Sequence, residues 1–349
     1  MEETTLNPLD FWCPSVIDFI FQHLNIKELL ELSEVSPDFW SFINGYKRFK
    51  RNVVFKLNSN RQIKEKELTA LMADFRRDYE SLVVDGSDVT KNMQVCAKHH
   101  TWKYVKISNM VFNRPTLLQS FIDGVRDEVE EFVMSSVFIF NCDKKIVMSF
   151  PKAKRLEMIE CNDQENAPIK RVSFVINDCE ELNELKLHYA GVSEDNQKKL
   201  VKANINLKSL SLVDVRDAFF ESFRSQVEFK LEHLEVKFAK SRLVTSRLNF
   251  VDFFLTQSRF LKRFEAGGYV SAELLEIAYT MPRLASLKIS EAKTWFQKIN
   301  EQELPRRLKT SYTLQKLVLT DDLTSHPVIW IELLNKAPNL MFFQMLRHD

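Results

Sequence analysis

Cys96, His99 and His100 stand close together and offer the donors that zinc prefers, a thiolate and two imidazoles. Zinc needs four ligands, and no second pair at ligand spacing accompanies them. His100 also runs directly into an apolar phrase at Trp102, so the spacing predicts no metal. The other cysteines are Cys13, Cys142, Cys161 and Cys179, five in all with no C-x-x-C. An odd, scattered set argues against a disulfide framework and for a reducing compartment, cytosol or nucleus. The seven histidines offer no Ser–His–acid order that spacing singles out, and carboxylate pairs carry little information in a chain 28% charged. Phosphate loops need several glycines so that backbone N–H groups can approach the anion. This chain has six glycines in 349 residues, and only Gly267 and Gly268 are adjacent. Kinase, dehydrogenase and P-loop chemistry are therefore excluded. No cofactor is expected, and the chain is not read as an enzyme.

What the residues do offer is a recurring strand phrase, L-x-x-L-x-L. Its clean copies are Leu182–Leu185–Leu187, Leu207–Leu210–Leu212, Leu231–Leu234–Val236, Leu284–Leu287–Ile289 and Leu314–Leu317–Leu319. With looser copies included, the second apolar residue falls at 82, 105, 137, 156, 185, 210, 234, 264, 287, 317 and 343. The interval averages about 26 residues, the period of leucine-rich repeats. The pattern predicts an α/β leucine-rich-repeat solenoid, a horseshoe with parallel strands on its concave face, over residues 51–349. About eleven divergent repeats follow a cap strand at Val53-Val54-Phe55-Lys56-Leu57. The segments between strands read as helices, clearest at 193–202 and 271–279, with Ser193 and Ser271 as N-caps. Many of the 28 phenylalanines lie in these segments and are expected to pack there as a layer. Cys142 and Cys161 take the turn position of the repeat and read as structural.

Residues 8–50 break the pattern and read as three short helices. The first covers 14–24. The second covers 26–32, with Asn25 as its cap and Glu28 in its first turn. The third opens Ser36-Pro37-Asp38, a cap, an N1 proline and an acid at the positive helix end. Phe39, Trp40 and Phe42 follow. So small a segment cannot bury all of these apolar groups by itself.

This segment resembles the F-box. Cys13-Pro14 stands at the Leu-Pro site, Ile20-Phe21 and Leu24 match the first helix, Leu29, Leu30 and Leu32 the second, and Val35-Ser36 and Trp40 the third. Cys13 departs from the usual leucine, and Ser15-Val16 from a position where an acid is common. An F-box ahead of leucine-rich repeats resembles the F-box/LRR family. The resemblance implies a substrate receptor of a Skp–cullin–F-box ubiquitin ligase. The F-box would dock the Skp adaptor, and through it cullin, while the repeats hold a protein for ubiquitination. Pro14, Ile17, Ile20, Phe21, Leu24, Leu29, Leu32, Val35 and Trp40 are its candidate contact or supporting residues.

On the repeats, residues between the buried leucines face outward because side chains alternate along a strand. The register places Tyr104, Phe138, Phe140, Ile159, Lys186 and His188 on the concave side as a candidate substrate patch. The rival readings are a protein-binding scaffold outside any ligase and an RNA-binding repeat protein using the basic runs at 47–51, 152–155 and 306–309. The net charge of +1 gives no general pull toward nucleic acid or membrane, so neither is expected as a partner. The acidic start MEETTLNPLDF lacks the basic and apolar regions of a secretory signal, and no apolar run reaches bilayer length.

Overall fold

The computed structural model describes residues 26–45, 54–58, 63–73, 79–86, 90–139, 145–161, 173–223, 227–238, 248–267, 272–290, 307–320 and 327–346. The first described elements are two helices packed on each other, α1 (Ile26–Val35) and α2 (Pro37–Gly45). Ser36 breaks the helix between them, and its hydroxyl accepts the Phe39 N–H at 3.2 Å, with Pro37 in the first turn. The expected helix at 14–24 lies outside the described residues.

The rest is α/β. In chain order it comprises β1 (Val54–Asn58), α3 (Glu65–Ala73), β2 (Ser81–Asp85), α4 (Thr90–His99), β3 (Tyr104–Phe112) and α5 (Pro115–Val125). Then come β4 (Glu131–Ile139), β5 (Ile146–Ser149), β6 (Arg155–Ile159), β7 (Phe174–Asn177), β8 (Glu184–His188), α6 (Glu194–Ala203), β9 (Ser209–Val215) and α7 (Asp217–Glu221). The chain continues through β10 (His233–Phe238), α8 (Leu248–Gln257), β11 (Arg263–Gly267), α9 (Ala272–Thr280), β12 (Ser286–Ser290), β13 (Lys316–Thr320), α10 (Pro327–Asn335) and β14 (Phe342–Leu346). Twelve strands, all but β5 and β7, form one open parallel sheet in sequence order. Helices cover one face, because a parallel strand must reach the next by a crossover.

The strand phrase explains the alternation. Leu185 and Leu187 of β8 are buried, as are Leu210 and Leu212 of β9, while Lys186 and His188 turn to the other face. The same inward positions are buried from β2 to β13, with Val318 and Thr320 of β13 buried as well and the ends of β3 and β4 shifted by a bulge. A main-chain feature fixes the alignment. The carbonyl of the residue before each strand accepts two N–H groups from the start of the next strand. Thus Lys154 O takes Asn183 N–H and Glu184 N–H, Asn183 O takes Lys208 and Ser209, and Lys208 O takes Glu232 and His233. These ladders run unbroken from Glu80 to Phe342.

Three sequence expectations change. The phrase read as Met134–Val137–Ile139 is out of register. Phe132 pairs with Val105 and Met134 with Ile107, so the second apolar residue is Phe132. Val129, Phe132 and Met134 also make an L-x-x-L-x-L, which overlaps the other at Met134. Both sets are buried because β3 and β4 bulge together at Asn109 and Ser136, each at positive φ (53° and 51°), and the parity switches there. The intervals around this strand become 27 residues (105 to 132) and 24 (132 to 156) in place of 32 and 19. The turn position of this repeat moves to Val137, so the reading of Cys142, which lies outside the described residues, loses its basis.

Second, two of the inter-strand segments are strands, not helices. β5 and β7 pair in parallel as a separate two-stranded sheet. Their sequences, IVMS and FVIN, alternate buried and exposed with period two. Amide side chains clamp both. Gln119 of α5 bonds both the N–H and the carbonyl of Val147, and Asn196 of α6 does the same to Ile176. Third, the last copy of the phrase, in β14, leaves its apolar residues uncovered where the pattern predicts burial.

The phenylalanine layer forms as expected. Phe219, Phe220, Phe223, Phe229, Phe250, Phe253, Phe254 and Phe264 are all buried. Their rings meet at centroid distances from 4.3 to 6.4 Å, in tilted, edge-on and stacked pairs under β9–β11. Ser193 caps α6 as predicted, accepting Asn196 N–H at 3.3 Å, whereas Ser271 lies outside the described residues.

A candidate partner-binding face

The uncovered face of the sheet presents three lanes of side chains, set by strand register. One lane runs Tyr104, Glu131, Arg155, Glu184, Ser209, His233, Arg263. The next runs Lys106, Val133, Glu157, Lys186, Ser211, Glu235, Glu265, Lys288. The third runs Ser108, Ser135, Ile159, His188, Val213, Lys237, Gly267. From β4 to β12 these lanes hold five cations (Arg155, Lys186, Lys237, Arg263, Lys288) and five carboxylates (Glu131, Glu157, Glu184, Glu235, Glu265). They pair with one another. Arg155 reaches Glu157 at 2.6 Å, Glu184 at 3.3 Å and Glu131 at 3.8 Å. Lys288 meets Glu265 at 3.0 Å, and Lys237 meets Glu235 at 3.9 Å. Gly267 lies between Lys237 and Ser290, and a Cβ there would come within 2.6 Å of Ser290 Oγ and 2.7 Å of Lys237 Cγ. The glycine is what lets the two side chains fold across the face.

At the centre, three strands contribute one polar cluster. Ser211 donates to Glu235 Oε2 at 2.6 Å, and His188 Nε2 lies 2.5 Å from Ser211 Oγ. Since the hydroxyl proton goes to the carboxylate, His188 donates through Nε2. Burial pulls the His188 imidazole down to about 4, with Lys186 and Lys237 adding to the effect and Glu235 and Glu157 opposing it. Burial pushes the Glu235 carboxyl up, but the Ser211 hydroxyl and nearby positive charge hold it below its ordinary range. The order is wrong for nucleophilic catalysis. The serine sits between histidine and acid, so the imidazole is not placed to take its proton. A second set, Ser209, His233 and Glu265, has the right order. Ser209 Oγ is 3.2 Å from His233 Nδ1, but Glu265 Oε1 lies 3.9 Å from Nε2, which has no hydrogen-bond partner. The distance is too long to orient the ring.

The sequence-predicted site residues separate. Ile159, Lys186 and His188 are half-buried neighbours on β6 and β8. Tyr104 faces the same way but stands between Ser81 and Glu131, several strands off. Phe138 does not join them. The bulge at Ser136 carries it past the three lanes, opposite Val111, where it is half-buried. Phe140 lies outside the described residues, so no aromatic patch of the expected kind is assembled by Tyr104 and Phe138. The candidate patch read from the sequence left out Ser211 and Glu235, which the register places on the same outward face. The signal was present, since both occupy the phrase position that Lys186 occupies one and two strands earlier.

Of the helical contact set, Pro14, Ile17, Ile20, Phe21 and Leu24 lie outside the described residues, as does the side chain of Leu29. Leu32 and Trp40 are half-buried, and Val35 at the end of α1 is 70% exposed. Cys96, Cys161 and Cys179 are buried, and burial pushes each thiol up to about 12, which removes thiolate chemistry. The Cys96 carbonyl accepts the Trp102 indole N–H, and His100 bonds the Tyr79 carbonyl. Among the described residues no three His, Cys, Asp or Glu side chains form a metal-holding group, and no helix is long and apolar enough to cross a membrane. No family model matches the chain, and no curated protein matches it.

Proposed function

We propose that this chain is an F-box/leucine-rich-repeat substrate receptor of a Skp–cullin–F-box ubiquitin ligase. On this reading the helical segment at 8–50 docks the Skp adaptor, and the outward face of the solenoid holds a protein client. The observation that carries the reading is the order of parts. A helical pair with an exposed apolar residue, Val35, precedes a sheet whose strands follow one another in sequence and whose outer face, among the described residues, carries no covering helix. Val35 is also a position at which the sequence matches the F-box pattern. The client face is charged but balanced, five against five, which suits a mixed protein surface better than a polyanion. The catalytic work belongs to other subunits of the ligase.

The test is capture of the Skp adaptor by the full chain. Val35→Asp, at an exposed position, should abolish capture while leaving the circular-dichroism melt unchanged. Ile20→Asp with Leu24→Asp should do the same to capture. If the wild type holds no Skp adaptor, the F-box reading fails. If it holds Skp but never cullin, the chain is a scaffold outside the ligase.

A further inference from the structure

The two edges of the twelve-stranded sheet are built differently. β1 carries Lys56 at its middle and buries Leu57. β14 and the residue before it read Met341-Phe342-Phe343-Gln344-Met345-Leu346, without a charge. Phe343 and Met345 stand in register with Leu317 and Leu319 of β13, which are fully buried. Yet they are 38% and 52% exposed, and Met341 and Phe342 are 77% and 45% exposed. Edge strands that are meant to stay unpaired carry lysine, proline or a bulge, and this one carries none inside the strand. Alternate residues of an edge strand also turn an N–H and a carbonyl away from the sheet.

We propose that β14 pairs antiparallel with β14 of a second copy of this chain, across a two-fold axis through Gln344. The strand is self-complementary about that residue. Phe343 falls opposite Met345 of the second copy and the reverse, giving two ring–thioether contacts, and Phe342 falls opposite Leu346. Gln344 meets its own copy, where two amides bond each other, and no like charges face across the axis. A two-fold perpendicular to a sheet makes neighbouring edge strands antiparallel, so the contact closes on itself as a dimer. The two outward faces then lie on the same side of one continuous sheet. Four large side chains at these exposures offer roughly 400 Å² of apolar surface per copy, taking roughly 200 Å² for each side chain. With the paired backbone this approaches the lower bound of specific interfaces, so assembly is expected in the micromolar range. The inference does not depend on the Skp adaptor.

The test is the mass of the 349-residue chain by analytical ultracentrifugation over about 1–100 µM. The wild type should move from 41.1 kDa to twice that value. Met345→Lys, at an exposed position, should stay at 41.1 kDa with an unchanged thermal melt. Directly opposed residues in an antiparallel pair have Cα atoms about 4.5–5.5 Å apart, within disulfide range. Gln344→Cys should therefore give a covalent dimer on mild oxidation, and Lys106→Cys and the wild type should not. A wild type that stays monomeric throughout overturns the proposal. So does a dimer that survives Met345→Lys, or one that Gln344→Cys fails to cross-link.

Discussion

His188 shows how much a single residue's surroundings decide. On an outward strand position it would be expected to titrate as a free imidazole, near 6.5. Packed against Ser211 and between Lys186 and Lys237, it is pulled to about 4 by burial first and by the lysines second. His233 is lowered for the same leading reason. In the unfolded chain both return to their ordinary value. Between about pH 4 and 6.5 the unfolded state therefore binds more protons than the folded one, and stability rises with pH across that window. Acidification from pH 7.5 to 5 should lower folding stability by about 2 kcal/mol for His188. Glu235, held below its ordinary range, extends the loss below pH 4.5. Urea unfolding at several pH values checks this. His188→Gln should reduce the slope and His188→Gln with His233→Gln should nearly flatten it. An unchanged slope in the double variant would show that the imidazoles are not the source. Ser211 and Glu235 were hard to see in the sequence, because they are 23 and 47 residues from His188 and only register brings them together (211 minus 188, and 235 minus 188).

Among the elements, the strands were largely legible and their connections were not. A leucine phrase has one dominant partner, the covered face, so its period survives divergence. The exception, β4, carries two overlapping phrases joined at Met134, and only a bulge reconciles them. A bulge depends on local backbone geometry that apolar spacing does not encode. The connections β5 and β7 were missed because short apolar runs do not separate strand from helix. Buried amides tie these units together. Asn204 is fully buried, donates to the carbonyls of Cys179 and Leu200 and accepts the N–H of Leu182, all at 2.7 Å. Asn204→Ala leaves two or three buried backbone groups without partners and should cost about 2–4 kcal/mol in urea unfolding. A loss below about 0.5 kcal/mol would mean that water replaces the amide.

At the scale of the molecule, charge is arranged to cancel. The residues leading into β2, β3, β4 and β6 alternate in sign, as do those leading into β9, β10 and β11, and three pairs form between them. Glu80 meets Lys103 at 2.7 Å, Glu130 meets Lys154 at 3.1 Å, and Glu232 meets Lys262 at 2.7 Å. Each such surface bridge, with its lysine exposed, contributes roughly 0–1 kcal/mol, so their effect is on field rather than stability. With the lanes also balanced, no basic stripe follows the sheet among the described residues. Unstructured RNA should bind weakly, and its affinity should fall with salt at a slope worth no more than about two phosphates. Fluorescence anisotropy with a labelled oligonucleotide measures it. A steep slope would favour the nucleic-acid reading over the protein-client one.

The doubly accepting carbonyls that join strand to strand are main-chain atoms. Only proline, which lacks the N–H, can remove one of those joints by substitution. The side chains of the three lanes take no part in them. On the proposed reading, a change at Lys186, Glu157 or Arg263 alters what a client would meet and leaves these main-chain joints in place. The main-chain frame is thereby insulated from the proposed recognition surface. One strand's contribution to that surface can be rewritten while its neighbours stay in alignment, much as a line of type is reset without recasting the press.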